Sequence, residues 1–414
     1  MCNEVIAGTS LGGKTESLGM DAFQKVPSQI EHFLVQTSKG DHMKGRRHPM
    51  SIYVCAESAL DHYRKATFPA LQPDKEQDIR TLDDAAASLG AVNQHTLAGL
   101  GLPSPSTENP LHVLVAKPAA RGRAQSVEAA VWGHPLPPGA FRKVSIDALV
   151  SSPEFLYLQM ARKLELVPLV ELGMELCGTY RREAVDGTTS YDQPQLTTPR
   201  DLRVFLDKAG SAPGTRRAKQ ALKYIAPNSA SPFETIVYLL LCLPRNLGGY
   251  AMPRPELNPS IRFSQRGKQH TLRRSSCPDL YWEMARLDLE CHGSAHEQQK
   301  RRTEDSMRRK ALERMGIEVI ELTYDEVESP KLFRAAVLRI AKKLGYRLRS
   351  RGENDFAGKE AALRETLIPT SYDDGALWQD RTSLADADDE SWEGEELPPE
   401  FESWEVYREG SRQS

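Results

Sequence analysis

Apolar and polar positions alternate with two different periods along this chain, and the changes of period mark its elements. MSIYVCAESALDHYRK (50–65) begins as a short strand and turns into the start of a helix. PLHVLVAK (110–117) and EAAVWGH (128–134) predict strands, with the basic turn PAARGRAQS between them, and FRKVSIDALV (141–150) predicts a third. Residues 150–180 read as helix, with Ser152 as N-cap, Pro153 at the first position and Glu154 next. Leu156, Met160, Leu164 and Leu169 are spaced there for a buried stripe. Helices are also expected over 197–210, between Pro199 and Gly210, and over the basic stretch 216–227.

After a break at NSAS (228–231) the pattern changes. SPFETIVYLLLCLP (231–244) predicts a helix, followed by a loop that ends in a possible strand at IRF. CPDLYW (277–282) and RLDLECH (286–292) predict consecutive strands joined by a tight turn. Strand alternation places Leu287, Leu289 and Cys291 on one face and Asp288, Glu290 and His292 on the other. EQQKRRTEDSMRRKALERM (297–315) predicts a helix with the stripe Met307, Ala311, Leu312 and Met315, stopped by Gly316. IEVIELT (317–323) predicts a strand, and SPKLFRAAVLRIAKKLGY (329–346) a last amphipathic helix. The expected fold is α/β, a mixed sheet flanked by helices in the C-terminal half, preceded by an α+β domain.

Composition sets the margins of this plan. Residues 1–49 are polar and aperiodic, and 351–414 contains the acidic DADDESWEGEELPPEFESWE (386–405); both are expected to be disordered. The domains are then 50–228 and 229–350. The net charge of -3 hides an uneven distribution, with 262–351 rich in Arg and Lys and 373–409 acidic. Six cysteines without a CxxC pair indicate a reducing compartment, and the start lacks the pattern of a signal peptide. The longest apolar run falls well short of a membrane span, so a cytoplasmic protein is expected, with no membrane contact.

Candidate chemistry gathers in the second unit. Asp279 and Glu290 stand on neighbouring strands, where two carboxylates can share one hard cation such as Mg²⁺ or Mn²⁺. Such an ion would activate a water and stabilise the leaving oxygen of a phosphodiester. Lys300, Arg301, Arg302, Arg308 and Arg309 on the following helix could neutralise DNA phosphates. Plainer roles are open to each group. Glu234 completes a Ser-x-x-Glu capping box from Ser231, Glu290 could pair with the Arg-rich helix, and the histidines could be exposed strand-end residues. A zinc site from Cys277, Cys291, His292 and His296 is disfavoured, because alternation separates Cys291 from His292.

SPFETIVYLLLCLP, CPDLYW, LDLECHGSAH and EDSMRRKALERMGIEVIELT together resemble the very-short-patch-repair-endonuclease-like domain of actinobacterial proteins, in the PD-(D/E)XK nuclease superfamily. The resemblance implies a restriction-endonuclease-like fold and metal-dependent hydrolysis of DNA in defence or repair. Glu234, Asp279 and Glu290 match the acidic positions, His296 the nearby His, and Asp305 the helix Asp. The chain departs at His292, where the family has Asp and the wider superfamily Lys. Imidazole can serve there as base or ligand, with weaker affinity for Mg²⁺ expected. The preceding region is distantly similar to abortive-infection antitoxins, which implies as alternative a catalytically impaired, DNA-binding regulator with a toxin or self-association partner.

Overall fold

The computed structural model describes residues 52–65, 82, 94–121, 124–145, 147–182, 188–264, 275–293, 302–348 and 353–368. The segments 1–49 and 386–405, both expected to be disordered, lie outside these residues. No helix among the described residues is long and apolar enough to cross a membrane.

The first half is built on β1 (Ile52–Val54), α1 (Ala56–Arg64), α2 (Gln94–Leu100), β2 (Leu111–Val115), β3 (Val127–Val131), β4 (Phe141–Lys143) and β5 (Ala148–Ser151). These strands form one mixed sheet in the order β3-β2-β1-β5-β4, with β1 parallel to β5 and antiparallel to β2. The single strand expected over 141–150 is in fact a hairpin. Val144 and Ser145 N–H both donate to the Ala148 carbonyl, and β4 returns antiparallel on β5. The helix expected over 150–180 is likewise two, α3 (Pro153–Met160) and α4 (Leu166–Leu176). Pro168 explains the interruption, because its ring excludes a helix continuing from before Leu164 while suiting the first turn of a new one. The stripe Leu156, Met160, Leu164 and Leu169 is buried as expected. A two-stranded ribbon of β6 (Arg181–Arg182) and β7 (Thr189–Ser190) follows, then α5 (Pro199–Ala209) and α6 (Thr215–Leu222).

The second half comprises α7 (Pro232–Cys242), β8 (Glu256–Leu257), β9 (Ile261–Arg262), β10 (Ser275–Ser276), β11 (Leu280–Trp282) and β12 (Leu287–His292). It continues with α8 (Arg302–Arg314), β13 (Glu318–Thr323), α9 (Tyr324–Glu328), α10 (Pro330–Lys343) and α11 (Glu353–Leu367). Its sheet runs β13-β12-β11-β8, with an antiparallel meander through β8, β11 and β12 and with β13 parallel to β12. Parallel neighbours need a crossover, and α8 lies between them in the chain. One sheet face, carrying Leu280, Trp282, Leu287, Leu289, Ile320 and Leu322, belongs to the main core, where α7 meets β12. On the opposite face Tyr281 and Val319 pack against Ala311 and Leu312 of α8 and against Phe263. Both sides of β12 are thus covered, so Asp288 and Glu290 are buried rather than wet. Met307, expected in the apolar stripe of α8, is instead exposed.

The helix α11 falls inside the stretch expected to be a disordered tail. Phe356, Leu363 and Leu367 give it a buried side, which sparse spacing and the flanking charges hid. The turn at Gly248, with φ of 88°, receives it; a Cβ there would come within 2.3 Å of the Lys359 carbonyl oxygen. Helices α4, α7 and α11 pack on one another, and one hydrophobic cluster contains residues on both sides of 228/229.

Candidate functional site

The registers of the second sheet bring acidic residues into one row. Leu280 pairs with Leu289 across the antiparallel strands, which sets Asp279, one step earlier, beside Glu290. Cys291 N–H donates to Asp279 Oδ2 at 2.7 Å, so the carboxylate is tied to the backbone of the neighbouring strand. On the other side Glu290 pairs with Glu321 of β13. Residues directly opposite in a sheet share a face, so Asp279, Glu290 and Glu321 line one level of it. Glu321 was not expected from the sequence; its signal is the alternation of IEVIELT, which sets it apart from buried Ile320 and Leu322.

Glu234 reaches the same place from α7. Ser231 caps that helix by accepting the Glu234 N–H at 3.1 Å, which is half of the expected capping box. The other half is absent: Glu234 Oε2 takes the N–H of Ala230 at 2.9 Å and Asn258 Nδ2 at 2.6 Å, while Oε1 accepts from Ser231 Oγ at 2.9 Å. Asn258 also donates its backbone N–H to the Asp279 carbonyl at 3.1 Å, so one residue links Glu234 to the backbone of Asp279. Burial pushes the Glu234 carboxyl up to about 7, against the three hydrogen bonds that favour its ionised form and with repulsion from Glu290. Burial likewise raises Asp279 well above the carboxylate range, with repulsion from Glu234 and Glu290 adding to it.

Asp288 and Glu290 sit two residues apart on the covered face, and Asp288 is wholly buried. Neither oxygen of Asp288 nor Oε1 of Glu290 has a hydrogen-bond partner. Burial, and then Glu290, push Asp288 up to about 10. A buried carboxyl with no donor at either oxygen, beside a second carboxylate, keeps its proton, and Asp288 is such a group. Glu290 Oε2 is paired with Arg308 of α8, which also donates to the Cys277 carbonyl at 3.5 Å. Burial opposes the charge of Arg308, but Glu290 holds its guanidinium above the usual range. The ion pair that provided a plain explanation for Glu290 therefore exists within the acidic row itself.

His292 stands at the end of β12, half-exposed, with Nε2 3.7 Å from Glu321 Oε1. Arg309 also pairs with Glu321, so it is held by a carboxylate of the sheet. His296, Lys300 and Arg301 lie outside the described residues. Arg302 and Asp305 belong to α8, but their side chains are likewise outside. Asp279, Glu290 and Glu234 thus come together, with Arg308 over them, His292 at the margin, and Asp288, Glu321 and Asn258 as additions.

Among the described residues no three His, Cys, Asp or Glu side chains are grouped as a full ligand set for a metal. Asp279 and Glu290 nevertheless fit a hard cation that keeps most of its waters, which needs one or two carboxylates. Both are oxygen donors on adjacent strands, and Glu290 Oε1 has no partner. The first half has a separate polar cluster, where Lys163 Nζ donates to Glu57 at 2.7 Å and His112 Nε2 lies 3.4 Å from both Glu57 and Glu128. It pairs its charges internally. The chain matches no protein-family model, no curated protein and no solved structure.

Proposed function

We propose that this protein is a metal-dependent endonuclease of the PD-(D/E)XK type that hydrolyses phosphodiester bonds of DNA. The observation that carries the reading is the meeting of Asp279 and Glu290 across β11 and β12, with Glu234 delivered to them by α7 and Asn258. The element order of helix, three-stranded meander, helix and parallel strand supports a restriction-endonuclease-like fold.

In this reading Asp279 and Glu290 would hold Mg²⁺ or Mn²⁺, which when bound would supply activation of a water and charge neutralisation at the leaving oxygen. The chain's own residues set the stage. The Cys291 N–H fixes Asp279, while Ala230, Ser231 and Asn258 fix Glu234. Helix α8 presents Arg308 and exposed Lys310 toward an approaching phosphate backbone. His292, set beside Glu321, takes the place at which the superfamily has Lys and is the residue able to receive a proton from the attacking water.

A second reading, a nuclease-like fold that binds DNA without cutting it, is favoured by the Arg308 guanidinium on Glu290 and by His292 in place of a third carboxylate. Supercoiled plasmid incubated with the full chain and Mg²⁺ or Mn²⁺ separates the two. Nicking is expected, with a loss of at least about a hundredfold in Asp279→Ala and Glu290→Ala. Nicking unchanged in both variants would overturn the site; a salt-sensitive band shift without nicking under either metal would establish the binding reading.

A further inference from the structure

Arg308 holds one of the two oxygens through which Glu290 would bind a cation. Its guanidinium donates to Glu290 Oε2 and reaches the Cys277 carbonyl, between the entry to β11 and the end of β12. Around it lie Asp279 and Asp288 as well. Exposure differs across the pair: the Arg308 side chain is 21% accessible and that of Glu290 7%. An incoming phosphate can therefore touch the guanidinium, while Glu290 remains beneath it.

We infer that Arg308 couples DNA binding to metal binding by leaving Glu290 for a backbone phosphate when DNA arrives. The inference rests on the endonuclease reading and adds an order of events to it. A guanidinium on Oε2 and a divalent ion on the neighbouring Oε1 share one carboxylate charge and repel one another, so each weakens the other's hold. Without DNA the guanidinium neutralises Glu290 and competes with the ion. A phosphate offers the planar fork two oxygens and a full charge, which is the stronger attraction for Arg in an exposed position. Once Arg308 turns to it, Glu290 loses its counter-charge and gains affinity for a cation. By linkage the ion and the DNA then tighten one another. Metal is thus taken up where there is a phosphodiester to cut.

The test measures Mn²⁺ bound to the full chain from the loss of the free-ion signal in electron paramagnetic resonance. It is done with and without a short phosphorothioate DNA duplex and referred to the duplex alone. The wild-type chain is expected to bind Mn²⁺ about tenfold more tightly with the duplex present. Arg308→Gln is expected to bind Mn²⁺ without duplex about as well as the wild type does with it, and to lose most of the enhancement. Arg308→Lys, which keeps a competing charge, is expected to retain weak binding without duplex. Mn²⁺ affinity that is measurable but indifferent to duplex in the wild type overturns the inference, and this arm needs no variant to fold. An Arg308→Gln chain that is folded by circular dichroism yet binds Mn²⁺ no better than wild type also overturns it. If neither the wild type nor Arg308→Gln binds Mn²⁺ under either condition, the endonuclease reading itself fails, and the inference with it.

Discussion

Asp288 sits in an environment at odds with an ionised carboxylate. It is wholly buried, has no donor at either oxygen, and sits beside Glu290. Its carboxyl is pushed from 3.8 up to about 10, so the folded chain holds a proton there that the unfolded chain releases at neutral pH. The sign follows from the raised value. The stability Asp288 contributes is full below 3.8 and is lost progressively as pH rises toward about 10. Asp288→Asn keeps the shape and a donor toward Glu290 but has no proton to take up. It is expected to stabilise the metal-free chain by about 2–4 kcal/mol at neutral pH, with the gain shrinking to nothing near the unfolded carboxylate range. Urea unfolding in EDTA at several pH values measures it. A variant less stable than its parent at neutral pH would show that the fold holds Asp288 ionised.

Among the elements, α11 tests how much of the fold is held by packing that sequence pattern conceals. Phe356 is buried, its ring 5.2 Å from that of Tyr250, with the Arg245 guanidinium 3.9 Å above it. Phe356→Ala should cost about 3 kcal/mol, read as a fall in the urea midpoint with an unchanged slope. A loss under 1 kcal/mol would mean that α11 adds little to the core. That helix was illegible for a physical reason. Phe356 and Leu363 stand two turns apart, and the buried apolar positions are outnumbered by Glu, Asp, Lys and Arg. The hairpin within 141–150 was hidden similarly, because the sequence between its two strands contains no Gly or Pro to signal a turn. By contrast LDLECH, with clean period-two alternation, and the apolar-rich IEVIELT gave the strands on which the site stands, and Ser231, Ser152 and Pro199 marked true helix starts. The site was readable to the same extent. Asp279, Glu290 and Glu234 lay next to local signals, while Glu321, Asn258 and the hold of Arg308 on Glu290 depend on tertiary register.

At the scale of the molecule, the division into 50–228 and 229–350 meets a core that crosses it. One apolar cluster contains Ile52 and Leu367, and α4 of the first half packs against both α7 and α11 of the second. Polar groups bridge as well. Tyr180 Oη lies 3.0 Å from Thr235 Oγ1, which in turn is 2.8 Å from Ser229 Oγ, and Asn258 Nδ2 donates to the Asn228 carbonyl at 3.0 Å. Thr235 follows Glu234 on α7, and Asn258 holds Glu234 directly, so the first half helps to set the position of a site residue. Its buried pair of Arg64 and Glu175, at 2.8 Å, lies on α1 and α4 and stiffens the surface on which α7 rests. A core shared in this way melts as one unit, since neither half can lose its packing without exposing the other's apolar surface. Differential scanning calorimetry of the full chain is therefore expected to give one transition, with equal calorimetric and van't Hoff enthalpies. Two resolved transitions would show the halves to be independent, and would remove the first half from any part in placing Glu234.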